Sequence, residues 1–286
     1  MSTRRLQQKI GATTVTEGAG VTLRRSLGLP ALRHLDPFLM LDHFSSDDPD
    51  DYSAGFPNHP HRGFVTFTYM LDGHMEHRDS MGNQGDLRAG GAQWMRAGSG
   101  VIHSEMPRQT DGLMRGFQLW INLPAAQKMS PPAYQELDAS SIPVVEAQGA
   151  RVKVLSGHFL DRDGPVHDPL TGLLYLDVSL PAGSRFELPL GEEMTGFLYP
   201  FEGEIVVADR PLRAHELGVL GPGDRIEAAA TANAPARLIL VAGRPLKEPI
   251  VQHGPFVMNT REQIDEALRD YRDGRLVKGP AAGLPP

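Results

Sequence analysis

A chain of 286 residues with 40% hydrophobic content is long enough for one large or two ordinary domains and can build extensive cores. The absence of cysteine excludes disulfides, thiolate ligands and a cysteine nucleophile, and a formal charge of -7 with a pI near 5.9 argues against binding nucleic acid through a broad basic surface. The 31 glycines and 24 prolines are spread along the chain rather than clustered, which suits many short strands joined by turns and so an all-β architecture.

In chain order, residues 1–9 carry early positive charge but run into Gly11-Ala12-Thr13-Thr14 rather than an apolar stretch, so neither a secretory signal nor an anchor is expected. No later segment approaches the ~18 apolar residues of a membrane span, and the expectation is a soluble, cytoplasmic protein. Residues 10–44 alternate apolar and polar positions, as in Val21-Thr22-Leu23-Arg24, and end in Phe38-Leu39-Met40-Leu41; these read as the first strands of a barrel. Asp47, Asp48, Asp50 and Asp51 mark a solvated loop that delivers the chain to His59.

Asn58-His59-Pro60-His61-Arg62-Gly63 places two histidines two residues apart, and on an extended segment such residues point to the same face. Residues 64–71 are rich in β-branched and aromatic types and form a strand, which Asp72-Gly73 turns into a hairpin. The following His74–Asn83 stretch reads as a hairpin strand with polar residues on its outer face; His77 faces inward as at most a partner of a ligand, and changes at His77 or Asp79 are expected to have modest effects. Trp94 and Trp120 are assigned to the core rather than to a substrate platform. After the turn Ala97-Gly98-Ser99-Gly100 comes His103-Ser104-Glu105, with the same two-residue spacing. Laid beside the first pair, it brings His59, His61, His103 and Glu105 to one point, an oxygen- and nitrogen-donor site for a divalent, iron-like metal.

An internal repeat follows: Phe67–Gly73 is echoed by Phe197–Gly203, and Ala89-Gly90-Gly91-Ala92 by Gly221-Pro222-Gly223-Asp224. Two copies of one β unit are expected, residues 1–137 with the metal site and residues 138–286 without it, divided in a Pro/Ser-rich connector. In the second copy Pro189 and Gly191 stand at the expected counterparts of His59 and His61, and only Ala234-Pro235-Ala236-Arg237 lies near that of His103. A helix is expected after the capping-box pattern Thr260-Arg261-Glu262-Gln263, with Ile264, Ala267, Leu268 and Tyr271 on one face and Asp273-Gly274 at its end. The tail from Lys278 to Pro286 is expected to fray.

His59–Phe64, Glu76–Asn83, Gln93-Trp94-Met95, Ala97–Pro107 and Gln118–Pro124, with Asp36–Leu39 upstream and Glu248–Thr260 downstream, resemble the pirin family of the cupin superfamily over nearly the full length. The resemblance implies a bicupin: two antiparallel β-barrels with a short C-terminal helix, and one divalent metal ion, Fe(2+) first with other transition metals possible, held by His59, His61, His103 and Glu105 in the N-terminal barrel. The wider cupin pattern has a glutamate four residues after its second histidine, where this chain has Val65, so Glu105 supplies the carboxylate as in pirins. Two functions follow from the resemblance. One is a quercetin 2,3-dioxygenase-like enzyme that opens a flavonol ring with O2 and releases carbon monoxide, with Glu105 as the catalytic base that takes the substrate hydroxyl proton. The other is a metal-dependent, redox-sensing regulator that acts through a protein partner. A monomer without direct nucleic-acid or membrane contact is expected in either case.

Overall fold

The computed structural model describes residues 2–278; the tail expected to fray lies outside them beyond Lys278. Among the described residues the regular structure is mostly antiparallel strand with one α-helix, Arg261–Arg272, and no helix is long and apolar enough to cross a membrane.

Packing separates two compact units. One gathers the chain up to Thr13, Ser26–Pro37 and Ser140–Pro245; the other gathers Thr14–Arg25, Phe38–Ala139 and the chain from Leu246 onward. This division differs from a split into 1–137 and 138–286 at both chain ends and at Ser26–Pro37. At the start, Leu6–Gly11 pairs with Glu216–Leu220 as an edge strand. Just before it, the buried Arg4 guanidinium donates to the carbonyls of Gly191, Met194 and Gly221, three acceptors that a buried cation needs. At the end, Val251–His253, Phe256–Met258 and the helix belong with the first cupin sequence.

Each unit is a jelly roll made of two sheets rather than one closed sheet. In the unit that starts at Thr14, Ala133–Leu137, Ala92–Arg96, Phe64–Asp72, Met114–Asn122 and Phe38–Ser46 run side by side in a seven-stranded sheet. Its four-stranded sheet has the order Phe56–His61, Val101–Pro107, His74–Asp79, Gln84–Arg88. In the Ser140–Pro245 unit the equivalent four-stranded order is Arg185–Pro189, Arg225–Ala230, Glu204–Val207, Arg210–Arg213, so the sequence repeat is a repeat of topology.

Strand register corrects which residues correspond. His103 pairs with His59 on one side and with Asp79 on the other, and Asp79 ends its strand. In the other unit the same inward position is Ala228, which pairs with Phe186 and with the strand-ending Val207. The counterparts of His59 and His61 are therefore Phe186 and Leu188, not Pro189 and Gly191, and that of His103 is Ala228. Similarly Ala97–Gly100, which leads into Val101–Pro107, corresponds to Gly221–Asp224. Phe186, Leu188, Ala228 and Ala230 all lie in the apolar core of their unit and offer no ligand atom.

The C-terminal segment is tied to the histidine-bearing sequence by backbone and charge. Gly63 has φ +89°, and a Cβ there would sit 2.0 Å from the Val257 carbonyl oxygen, so only glycine permits this approach. Lys128, only 1% exposed, donates its three ammonium protons to the Gly63 carbonyl (2.8 Å), the Asn122 side-chain carbonyl (2.7 Å) and the Val257 carbonyl (3.0 Å). Burial pushes the lysine down to about 7, and the charge of Glu248 opposes the shift. Arg62, also buried, donates to the Ser99 carbonyl and lies 2.9 Å from the Asp270 carboxylate on the helix. That helix starts on the expected capping box at Thr260 and Gln263 and buries Ile264 and Ala267 against Phe256, Met258 and Leu276.

A fragment that stops at Leu137 lacks Val257 and Asp270, and leaves Phe64 and Leu39 without Val257 above them. It is expected to be insoluble or to unfold without cooperativity; a soluble, cooperatively folding fragment that retains metal would contradict this fold assignment. Lys128→Met strands three buried acceptors and is expected to cost about 2–5 kcal/mol at neutral pH in chemical denaturation. The unfolded lysine keeps its proton to about pH 10.4, so from pH 7 upward the unfolded chain binds more protons than the native one. Wild type should thus gain on Lys128→Met by at most about 1.4 kcal/mol per pH unit between pH 7 and 9, and a parallel pair of stability curves would contradict the shift.

Candidate metal centre

The centre is built on the strand Val101–Pro107, which lies between Phe56–His61 and His74–Asp79. Its alternation turns Val101, His103 and Glu105 inward and leaves Ile102 and Ser104 on the other face. His103 stands opposite His59, and Glu105 opposite His77 across the other ladder. A register shift between His103 and Glu105 on the Phe56–His61 side bends the pairing next to the two inward donors.

Three imidazoles meet as the spacing predicts. Ring centroids are 4.7 Å apart for His59 and His61, 4.3 Å for His59 and His103, and 4.8 Å for His61 and His103. Ligand atoms of His59, His61 and His103 lie within 4.8 Å of one another, and so do those of His77, His103 and Glu105. His103 is common to both groups; Glu105 lies with His77 and His103 and is not grouped with His59 and His61. His61, His103 and Glu105 are buried, while His59 is half-buried and forms the more open edge.

The residues fit a divalent cation. His59 donates Nδ1–H to the Pro57 carbonyl at 2.8 Å, which leaves its Nε2 lone pair free for an ion. His61 Nδ1 and His103 Nε2 are buried and find no hydrogen-bond partner among the described residues, a costly state unless a cation accepts a lone pair. Burial first, and then the neighbouring histidines, hold both His61 and His103 well below the usual imidazole range, so both stay neutral as ligation requires. Imidazole and carboxylate donors suit several first-row ions alike.

Sequence reasoning missed what surrounds these donors. The Glu105 carboxylate accepts from the amides of Gln93 and Gln118 and lies 3.1 Å from the Thr68 hydroxyl. Gln93 in turn accepts from the Tyr134 hydroxyl at 3.3 Å. The available signal was polar residues at inward positions of apolar strands: Thr68 and Gln93 are both 1% exposed. His77, expected to play at most a supporting part, is buried with Nδ1 3.4 Å from His103 Nδ1. Trp120 is half-buried, with its ring edge-on to His61 and tilted over Phe64.

Comparison with known proteins identifies the family. Residues 20–121 match the Pirin family model and residues 175–277 the model of the Pirin C-terminal cupin domain. A pirin-like protein of Caulobacter vibrioides is 49% identical over 279 residues, covering 96% of this chain and 100% of that protein. Human pirin is 39% identical over 279 residues, covering 96% and 94%. A crystal structure of quercetin 2,3-dioxygenase from Acinetobacter baumannii superposes with a TM-score of 0.88 at 31% identity, covering 96% of this chain and 99% of that one. The bicupin topology, the triad of inward histidines and the matches across both cupin sequences together show that the chain belongs to the pirin family.

Proposed function

We propose that the protein is a metal-dependent dioxygenase that cleaves the central ring of a flavonol of the quercetin type with O2 and releases carbon monoxide. The observation that carries this reading is the cluster of His59, His61 and His103, with Glu105 grouped beside His103 and His77, in a chain structurally similar to a quercetin 2,3-dioxygenase. A bound ion such as Fe(2+) would supply Lewis-acid polarisation of the substrate oxygens and electron exchange with O2. His59, His61 and His103 would hold it through imidazole nitrogens, with Glu105 as the fourth ligand. The amides of Gln93 and Gln118 fix the plane of the Glu105 carboxylate, which takes the proton of the flavonol 3-hydroxyl as general base. The half-buried edge at His59 is the side from which a small molecule reaches the ion.

Purified protein is expected to carry about one metal per chain by elemental analysis, since only one cupin sequence has donors at these positions. His59→Ala or His61→Ala should empty the site. Full metal content in a His61→Ala, Glu105→Ala double variant would sink the ligand assignment. Glu105→Gln keeps the side-chain size and one ligand oxygen but cannot accept the proton, so carbon monoxide release per bound metal should fall ~10²–10⁴-fold, far more than metal content does. Oxygen uptake with quercetin is the decisive assay. If fully metallated wild type consumes no oxygen with any flavonol, the oxygenase reading fails and a metal-dependent regulator acting through a protein partner takes its place.

A further inference from the structure

We propose that His77 and Asp79 form a buried hydrogen-bond chain that fixes the tautomer of His103 and aims its Nε2 lone pair at the metal position. This rests on the reading of His103 as a ligand and adds two positioning residues to it.

The chain can be followed atom by atom. Asp79 is 2% exposed, and its Oδ1 accepts the backbone N–H of Met81 at 2.9 Å and of Asn83 at 3.0 Å. Its Oδ2 accepts the Asn83 amide at 2.8 Å and lies 3.3 Å from His77 Nε2. An ionised carboxylate offers acceptors only, so His77 Nε2 must carry the proton toward it. A neutral imidazole has one N–H and one lone pair, so His77 Nδ1 is left as an acceptor. That atom faces His103 Nδ1 at 3.4 Å, and the contact is a hydrogen bond only if His103 Nδ1 is the donor. The lone pair of His103 then resides on Nε2, the nitrogen that is buried and without a protein partner. With His77 neutral, each step follows from the acceptor-only end at Asp79.

The rings are held as well as the protons. His77 stacks on Tyr134 with centroids 4.5 Å apart and planes 17° from parallel, so its ring plane is set independently of His103. Strand register supplies the spacing, since Asp79 is paired with His103 and His77 with Glu105 on the adjacent strand. Both side chains point inward where their counterparts in the other unit are the apolar Ile205 and Val207. A buried histidine and aspartate in those places have no packing advantage over the apolar pair, and they accompany the ligands.

The test uses the full-length protein, stripped of metal, with histidine labelled by 15N, and Co(2+) alone as the probe. Long-range 1H–15N correlation should show His103 as the Nδ1–H tautomer in wild type. Asp79→Asn can donate to His77 and so reverse the chain, the way an Asp→Asn change leaves geometry intact but imposes the wrong tautomer in serine proteases; His103 should then appear as Nε2–H. Co(2+) affinity by chelator competition should fall about 10–100-fold in Asp79→Asn and in His77→Phe, which keeps the ring stack but loses the acceptor. His77→Gln, whose side-chain oxygen can accept from His103, should restore most of the affinity and the wild-type cobalt absorption bands. Thermal unfolding of each variant separates these effects from misfolding, and the wild-type tautomer tests the chain with no variant at all.

An Nε2–H tautomer of His103 in metal-free wild type overturns the proposal. So does unchanged affinity and spectrum in a folded His77→Phe, or a second Co(2+) per chain that His77→Phe removes, which would make His77 a ligand. The reading of His103 as a ligand fails separately, if His103→Ala still binds Co(2+) with wild-type affinity.

Discussion

The structure depends on one strand, Val101–Pro107, being paired on both sides. Pairing with Phe56–His61 sets His103 against His59, and pairing with His74–Asp79 sets Glu105 against His77. Because side chains alternate, a slip of one residue on either side would turn the slipped strand's inward side chains to the opposite face. The placement of the candidate ligands is thus a property of backbone ladders, which are stiff, rather than of loops. The polar shell of Gln93, Gln118 and Thr68 comes from the facing seven-stranded sheet of the same unit and orients Glu105 from behind.

Two solutions to the same internal position appear in the two units. Where one carries His59, His103, Glu105 and His77 at inward sites, the other carries Phe186, Ala228, Ala230 and Ile205 in an apolar core. The apolar version gains its stability from burial directly. The polar version leaves imidazole nitrogens without protein partners, a cost that a bound cation offsets. Metal binding would therefore be linked to native stability in the unit that bears the histidines, with a gain that grows as the logarithm of metal concentration over Kd.

Much of this was legible in the residues. Two histidine-containing pairs at two-residue spacing, each on an extended segment, determined the triad, and the capping box at Thr260 marked the start of the helix correctly. The repeat was legible in Phe67–Gly73 and Phe197–Gly203, which occupy equivalent strands, but the correspondence of the other positions was not. Pro189 and Gly191 were aligned to the histidines by distance along the chain, whereas register depends on turn lengths and strand pairing that no local pattern encodes. The crossing of the chain ends was hidden for a similar reason. Leu6–Gly11 finds its partner more than two hundred residues away, and the three acceptors of Lys128 come from separate segments. Gln93, Gln118 and Asp79 were visible as polar residues in strands, but their aim at Glu105 and His77 emerges only once the two sheets are assembled.

The central claim is that a flavonol binds at an ion held by these histidines. Anaerobic titration of quercetin into metallated protein tests it most directly, because binding at the ion perturbs the flavonol absorption before any oxygen reacts. The account predicts a shifted band that saturates at about one quercetin per bound metal and is absent from metal-free protein. An unshifted spectrum, or the same shift without metal, would contradict it.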